Sequence, residues 1–130
     1  MIVEPELGTH KMHVPSSGSD DDSVAFATGT PYFPYQPDGR CGQAAENSVL
    51  FTRSSAFLVD AIIVSPVASG QVILRDGNAH VQLDVTLAAT GERGPIDLLQ
   101  GAGPMLINGL PSLEVSSLSL KPTMLFRTLR

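Results

Sequence analysis

The sequence predicts an all-β fold: an antiparallel β-sandwich, jelly-roll-like, behind a long irregular N-terminal arm. Two apolar runs, Val72–Leu74 and Val81–Leu87, flank an Asp76-Gly77-Asn78 break, and the second alternates strictly between apolar and polar residues. Asp-Gly is a favoured hairpin dipeptide because its residues tolerate positive φ, so this stretch reads as a tight β-hairpin at the centre of the core. Turn signals then recur about every ten residues to the end of the chain, the rhythm of short strands folded back on one another. Before position 47 the texture differs, with Pro5, Pro15, Pro31, Pro34 and Pro37 set among Gly, Ser and Asp without helical or strand period.

A chain of 130 residues with 42% hydrophobic content supports one packed domain. No apolar run approaches the ~18 residues of a membrane-spanning helix. The stretch Met1-Ile2-Val3-Glu4-Pro5-Glu6 lacks the basic and apolar regions of a signal peptide, so synthesis into a cytoplasm is the expectation. Cys41 is the single cysteine, which excludes an intrachain disulfide. A net charge of -5 and a pI near 4.9 argue against nucleic acid, whose phosphates need clustered Lys and Arg. The charge is uneven: before residue 51 seven acids face only Lys11 and Arg40, and from Phe51 onward six bases balance six acids.

Residues 1–46 read as the arm and residues 47–130 as the sandwich domain. Alone, the arm's composition buries too little apolar area to offset its ordering entropy. Yet it holds Phe26, Tyr32, Phe33 and Tyr35, four of the seven aromatics, and such rings are expected to bury against the domain or another chain. In Pro31-Tyr32-Phe33-Pro34-Tyr35-Gln36-Pro37 proline falls at every third residue. A polyproline II helix would put the prolines on one edge and Tyr32 and Tyr35 on another. Such a strap either covers the sandwich edge or docks on a neighbouring subunit, which makes Phe26, Tyr32, Phe33, Pro34, Tyr35 and Pro37 the candidate partner-binding residues. His10 and His13 with Asp20, Asp21 and Asp22 form no closed ligand set and fail the calcium-loop pattern, so neither metal nor other cofactor is expected. Cys41 beside Arg40 lacks a histidine partner in its motif and reads as inert.

In the domain, Ser48–Thr52 and Ala56–Val64 read as strands, the second so nearly continuous in apolar residues that it is expected to be central and covered on both faces for part of its length. In the second arm of the hairpin Val81, Leu83, Val85 and Leu87 form the core face. His80, Gln82, Asp84 and Thr86 form the polar one, and His80, Gln82 and Asp84 are a candidate ligand face. Pro95–Leu99 and Met105–Ile107 follow, the latter closed by an Asn108-Gly109 reversal. Leu113 and Val115 lie on one parity and Leu118 and Leu120 on the other, which predicts a bulge at Ser116-Ser117. Thr123–Leu129 is the last strand. A phosphate-binding Gly-rich loop, a Gly-x-Ser-x-Gly elbow, a His-Glu-x-x-His and a Cys-x-x-Cys are all missing, so the expectation is a non-enzymatic protein.

The residues that carry a family likeness run in a fixed order. The apolar strand from Phe57 to Val64 is followed by Gly70-Gln71-Val72-Ile73-Leu74-Arg75-Asp76-Gly77, an alternating strand and a Gly/Pro turn; Met105-Leu106-Ile107-Asn108-Gly109-Leu110 and two closing strands complete it. This order, over about residues 48–130, resembles the small β-sandwich virion proteins of tailed bacteriophages, in particular capsid decoration or cement proteins. The resemblance implies a structural protein on the capsid exterior, made in the host cytoplasm. It also implies homotrimers whose arms bind the shell or adjacent trimers, so the partners would be the major capsid protein and copies of itself, without nucleic acid or membrane. A tail or host-attachment module holding a glycan at His80, Gln82 and Asp84 is the alternative, and a small hydrolase the third class.

Overall fold

The computed structural model describes residues 9–20, 23–35, 38–48, 51, 55–65, 69–88, 95–100 and 102–129. The strands are β1 (His10–His13), β2 (Phe33–Pro34), β3 (Asp38–Gly39), β4 (Cys41–Gly42), β5 (Ala56–Val64), β6 (Gly70–Arg75), β7 (Val81–Leu87), β8 (Ile96–Asp97), β9 (Met105–Asn108), β10 (Ser112–Val115) and β11 (Thr123–Leu129). Short 3-10 turns at Ala45–Asn47 and Leu118–Leu120 are the only helical elements among the described residues. The all-β expectation holds.

The larger sheet runs β3-β1-β11-β5, and β8 and β9 divide the far edge of β5 between them. A three-stranded sheet runs β10-β6-β7, and β2 pairs with β4. All these pairings are antiparallel except β1 with β3. A single hydrophobic cluster takes Phe57, Ile62 and Phe126 from the larger sheet and Val72, Leu74 and Leu113 from the smaller. Phe51, Phe57 and Phe126 meet edge-on or tilted at 5.3–6.3 Å between ring centres, with His10 against two of them. Offset and edge-to-face contacts of this kind add about 1 kcal/mol each to the burial itself.

The continuous look of Ala56–Val64 has a cause that differs from burial on both faces. Phe57 and Val59 are buried on one parity, and Ile62 and Val64 on the other. Leu125 pairs with Ala61 and Phe126 with Val59, so Asp60 is an extra residue that restores the inward face after a bulge. Arg127 fixes the bulge with two hydrogen bonds to the Asp60 carboxylate, at 3.0 and 2.8 Å.

Where described, the N-terminal segment packs on its own chain instead of standing off as an arm. β1 pairs along β11 and buries Met12, and Val14 beyond it is buried too. Further along, Gly29 N–H donates to Val115 O and Tyr32 exchanges two backbone hydrogen bonds with Leu113, of 2.7 and 3.0 Å. Composition averaged over the segment hid these contacts, because a few apolar residues placed against open sheet edges suffice. The expected polyproline strap gives way at Phe33–Pro34 to strand pairing with Cys41–Gly42.

Three local expectations change. The hairpin turn is a three-residue loop: Ala79 N–H donates to Asp76 O, Asp76 N–H donates to His80 O, and Ala79 takes φ +64°. That is a type I turn followed by a left-handed residue, not a two-residue Asp-Gly reversal. The parity break after Val115 is no bulge, since β10 ends and Leu118–Leu120 form a 3-10 turn capped by the Ser117 hydroxyl. Ser48 and Phe51 close a turn through Phe51 N–H and Ser48 O, and the remaining residues of the expected Ser48–Thr52 strand lie outside the described ones.

Ala79 sits at φ +64°, where glycine is free of steric strain. Ala79→Gly removes left-handed strain of about 1–2 kcal/mol and adds unfolded-state entropy of somewhat less. Its midpoint in urea unfolding is expected to rise, by about 0.5 kcal/mol in stability.

Candidate functional site

The six candidate partner-binding residues separate sharply. Tyr32 is fully buried, Tyr35 is 3% exposed and Pro34 is buried, so these three face their own chain. The two tyrosines repeat one device. Tyr32 Oη donates to Ala27 O at 3.0 Å and accepts from Ala27 N at 2.7 Å. Tyr35 Oη donates to Ala44 O at 2.8 Å and accepts from Ala44 N at 3.1 Å. Each phenol thus satisfies the donor and acceptor of one backbone residue that lies outside any ladder. Burial pushes the Tyr32 hydroxyl above its ordinary pKa, which keeps it the neutral donor that this role needs. The Tyr35 ring lies where a side chain on Gly42 would stand, so glycine is required there.

Phe26 and Phe33 remain partly exposed, and Pro37 lies outside the described residues. The Phe26 ring packs 5.6 Å from that of Tyr32. Phe33 lines a shallow cleft of about 210 Å³ together with Asp76 and Gly77 of the hairpin turn.

The candidate ligand face on the hairpin is exposed at His80, Gln82 and Asp84, and the side chains of Gln82 and Asp84 are hydrogen-bonded within the chain. Asp76, which the sequence places in the hairpin turn and not on the candidate ligand face, is the centre. Its carboxylate accepts from Asn78 N and His80 N at 2.9 Å each and from Gln82 Nε2 at 3.1 Å, and His80 Nδ1 lies 3.7 Å away. These donors, the His80 amide first, hold the Asp76 carboxyl below its ordinary range. Asp84 accepts from Gln71 Nε2 at 2.7 Å. The arrangement organises the turn.

The apolar face of β7 departs from expectation in a more telling way. Val81 is 53% exposed, and Leu83, Val85 and Leu87 are only half-buried, although they share a face with the fully buried Val72 and Leu74 of β6. Alternation identifies the core face but not what covers it. Among the described residues β7 has β6 on one side and no strand on the other. The amide and carbonyl of Gln71 point to Ser116, beyond β10, so those of Val72 and Leu74 point to β7. By the same alternation Leu83 and Val85 face β6, while the N–H and C=O of Asp84 and Thr86 face outward along the open edge.

A second feature surrounds Phe26. A cavity of about 420 Å³ is lined by Lys11, His13, Phe26 and Arg40, with buried Cys41 behind. His10 and His13, weighed together as metal ligands, lie on opposite faces of β1, His10 buried and His13 exposed. Burial, with Lys11 and Lys121 nearby, pushes the His13 pKa down, and its Nδ1 is 2.7 Å from the Thr123 hydroxyl. Among the described residues no three His, Cys, Asp or Glu side chains are grouped to hold a metal ion.

No family model, curated protein or solved structure matches the chain.

Two variants probe these arrangements. Tyr32→Phe removes the hydroxyl that both accepts from and donates to the backbone of Ala27, a residue exposed to solvent, and a loss of about 1 kcal/mol is expected in chemical denaturation. For Asp76 the folded pKa lies below the unfolded one, so its contribution is complete above the ordinary carboxyl range, about pH 4, and fades as pH falls through the folded value. Asp76→Asn is therefore expected to flatten the acid limb of a stability profile measured from pH 6 down to about pH 2.

Proposed function

We propose that the two sheets form a jelly-roll-like β-sandwich, and that the protein is a non-enzymatic structural subunit that decorates and stabilises a tailed-bacteriophage capsid. Its partners in this reading are the major capsid protein and further copies of itself, as homotrimers on the capsid exterior. The observation that carries the proposal is the open edge of β7. Seven residues long and without a second neighbouring strand among the described residues, it presents outward-facing backbone groups beside a row of half-covered Leu83, Val85 and Leu87 and exposed Val81. Natural sheets shorten, charge or cover such edges, and an uncovered one is a template for pairing with another chain. Asp84 is the single charge on this strand.

In this reading the contact moves from the tyrosines of the N-terminal segment to β7. Tyr32 and Tyr35 buttress the subunit from within, and Leu106, 55% exposed on β9, offers a further apolar contact. The glycan alternative at His80, Gln82 and Asp84 is weaker, because Gln82 and Asp84 are engaged by Asp76 and Gln71.

The test uses two variants that act on the edge. Thr86→Pro removes an outward N–H without touching the ladder to β6, and Val85→Lys places a charge in the apolar row. The wild-type protein is expected to self-associate with concentration in sedimentation velocity and to co-sediment with capsids of its own virus. Both variants, folded by circular dichroism, should weaken these associations at least about tenfold, the effect of ~1.4 kcal/mol. Folded variants that associate as the wild type does would overturn the assignment of the contact to β7.

A further inference from the structure

We propose that the strand completing the edge of β7 is β7 of a second copy, antiparallel to it about a two-fold axis at Val85, an inference that rests on β7 being the contact surface. Two residues offer backbone hydrogen bonds in that direction. Asp84 and Thr86 stand opposite Ile73 and Gln71 in the ladder to β6, and Gln71 turns its own amide and carbonyl to Ser116. These are therefore the pairs that exchange no hydrogen bonds, and the N–H and C=O of Asp84 and Thr86 point away from β6. Among the described residues no backbone group bonds to them across that edge. Gln82 differs. The ladder shifts register between Leu74 and Arg75, where Arg75 pairs with Val81, so Gln82 is the extra residue of a bulge and falls outside the hydrogen-bonding alternation.

These facts select one register. Outward groups must meet outward groups, so the axis of a self-paired strand passes through a residue and not between two. An axis at Asp84 would set all of β7 against itself, but it places the two Asp84 carboxylates directly opposite each other and needs Gln82 in two of its pairs. An axis at Leu83 needs Gln82 twice as well. An axis at Thr86 keeps only Val85 to Leu87 in register, because the strand ends at Leu87. With the axis at Val85, Leu83 to Leu87 lies against itself. Asp84 and Thr86 then pair reciprocally, and every outward N–H and C=O of both residues is satisfied.

The side chains agree with this axis on both faces. On the polar face each Asp84 carboxylate stands opposite the Thr86 hydroxyl of the second copy, an acceptor against a donor. Gln71 Nε2 already engages Asp84 at Oδ1, and a carboxylate accepts at both oxygens. The two Asp84 residues are diagonal neighbours, ~7–8 Å apart between Cα atoms, on a face open to water, where their repulsion is screened. On the apolar face Val85 meets its own copy and Leu83 meets Leu87, all of them half-buried in the single subunit. The apolar row of each subunit thus continues into that of the other. A two-fold contact joins subunits in pairs and closes no ring of three, so in the capsid reading it ties one trimer to the next.

The experiment reads the register with Val85→Cys, Leu83→Cys and Leu87→Cys in the full chain, with the wild type, whose Cys41 is buried, as control. Each variant is checked for folding by circular dichroism, then oxidised with diamide, alone and in mixed pairs, over a range of concentrations. Residues directly opposite at a non-hydrogen-bonded pair have Cα atoms ~4.5 Å apart, within reach of a disulfide, and diagonal neighbours do not. Val85→Cys alone, and Leu83→Cys mixed with Leu87→Cys, are expected to give covalent dimers at least about tenfold faster than either leucine variant alone. Adding Thr86→Pro should slow the Val85→Cys reaction by about the same factor. Self-association that Thr86→Pro weakens, without cross-linking of Val85→Cys or of the mixed leucine pair, would overturn this register and keep β7 as the contact. Faster linkage of Leu83→Cys to Val85→Cys than to Leu87→Cys would do the same. Capsid binding weakened by Thr86→Pro in a protein that stays monomeric would overturn the self-pairing alone. Association indifferent to Thr86→Pro would overturn both the pairing and the reading of β7 on which it rests.

Discussion

The pair of backbone hydrogen bonds between Tyr32 and Leu113 holds the smaller sheet together from its exposed side. β10 is four residues long and pairs with β6 on one edge only, so its other edge would be a row of unsatisfied groups beside the buried Leu113 and Val115. Tyr32 closes that edge with its backbone and fills the space behind it with its ring. Its hydroxyl then satisfies Ala27, which fixes the approach of the preceding turn. One residue therefore supplies ladder, core and cap at once. β1 does the equivalent for the larger sheet by covering β11, the strand that would otherwise be its edge. The N-terminal segment thus closes one edge of each sheet with its own backbone.

A second constraint relates the two sheets to each other. The β6–β7 turn and the β9–β10 turn meet at Gly77 and Gly109, so close that a Cβ on Gly77 would lie 2.8 Å from the Gly109 Cα. Gly77 N–H donates to Asn108 O at 2.9 Å, and Gly109, at φ +82°, donates to Ser55 O at 3.1 Å. β9 belongs to the larger sheet and β10 to the smaller, so this contact pins the hairpin where the chain crosses between them. Both glycines are needed for backbone approach, and only Gly109 also for its dihedral angle.

What the sequence disclosed, and what it concealed, follows from the range of the interactions involved. β5, the hairpin, β9 and β11 were legible because period-2 alternation and turn residues are local signals. The Asp60 bulge was concealed because a shift of parity in a run of nine residues mimics burial on both faces, and only the partner strand reveals it. The tyrosine devices depended on Ala27 and Ala44, five and nine residues away, to which no sequence pattern points. Phe26, named from its ring alone, does line a cavity, but the basic residues opposite it come from β1 and from the residue after β3, which pair in parallel. Parallel pairing of two short strands so close in sequence leaves no periodic trace.

The contrast among the edges argues most strongly for an assembled protein. β3 and β8 are two residues each, β9 is four, and the edges of β10 and β11 are covered by segments recruited from far away in the chain. The sequence therefore has economical means to blunt an edge and uses them repeatedly. Among the described residues β7 is the exception: the longest edge strand, with one acid and an apolar row left half in water. Its turn, meanwhile, is held by Asp76, whose carboxylate accepts from three donors. A strand that is held rigidly at one end and left uncovered along its side keeps its unpaired groups in fixed register, which lowers the ordering cost of adding a strand from another chain.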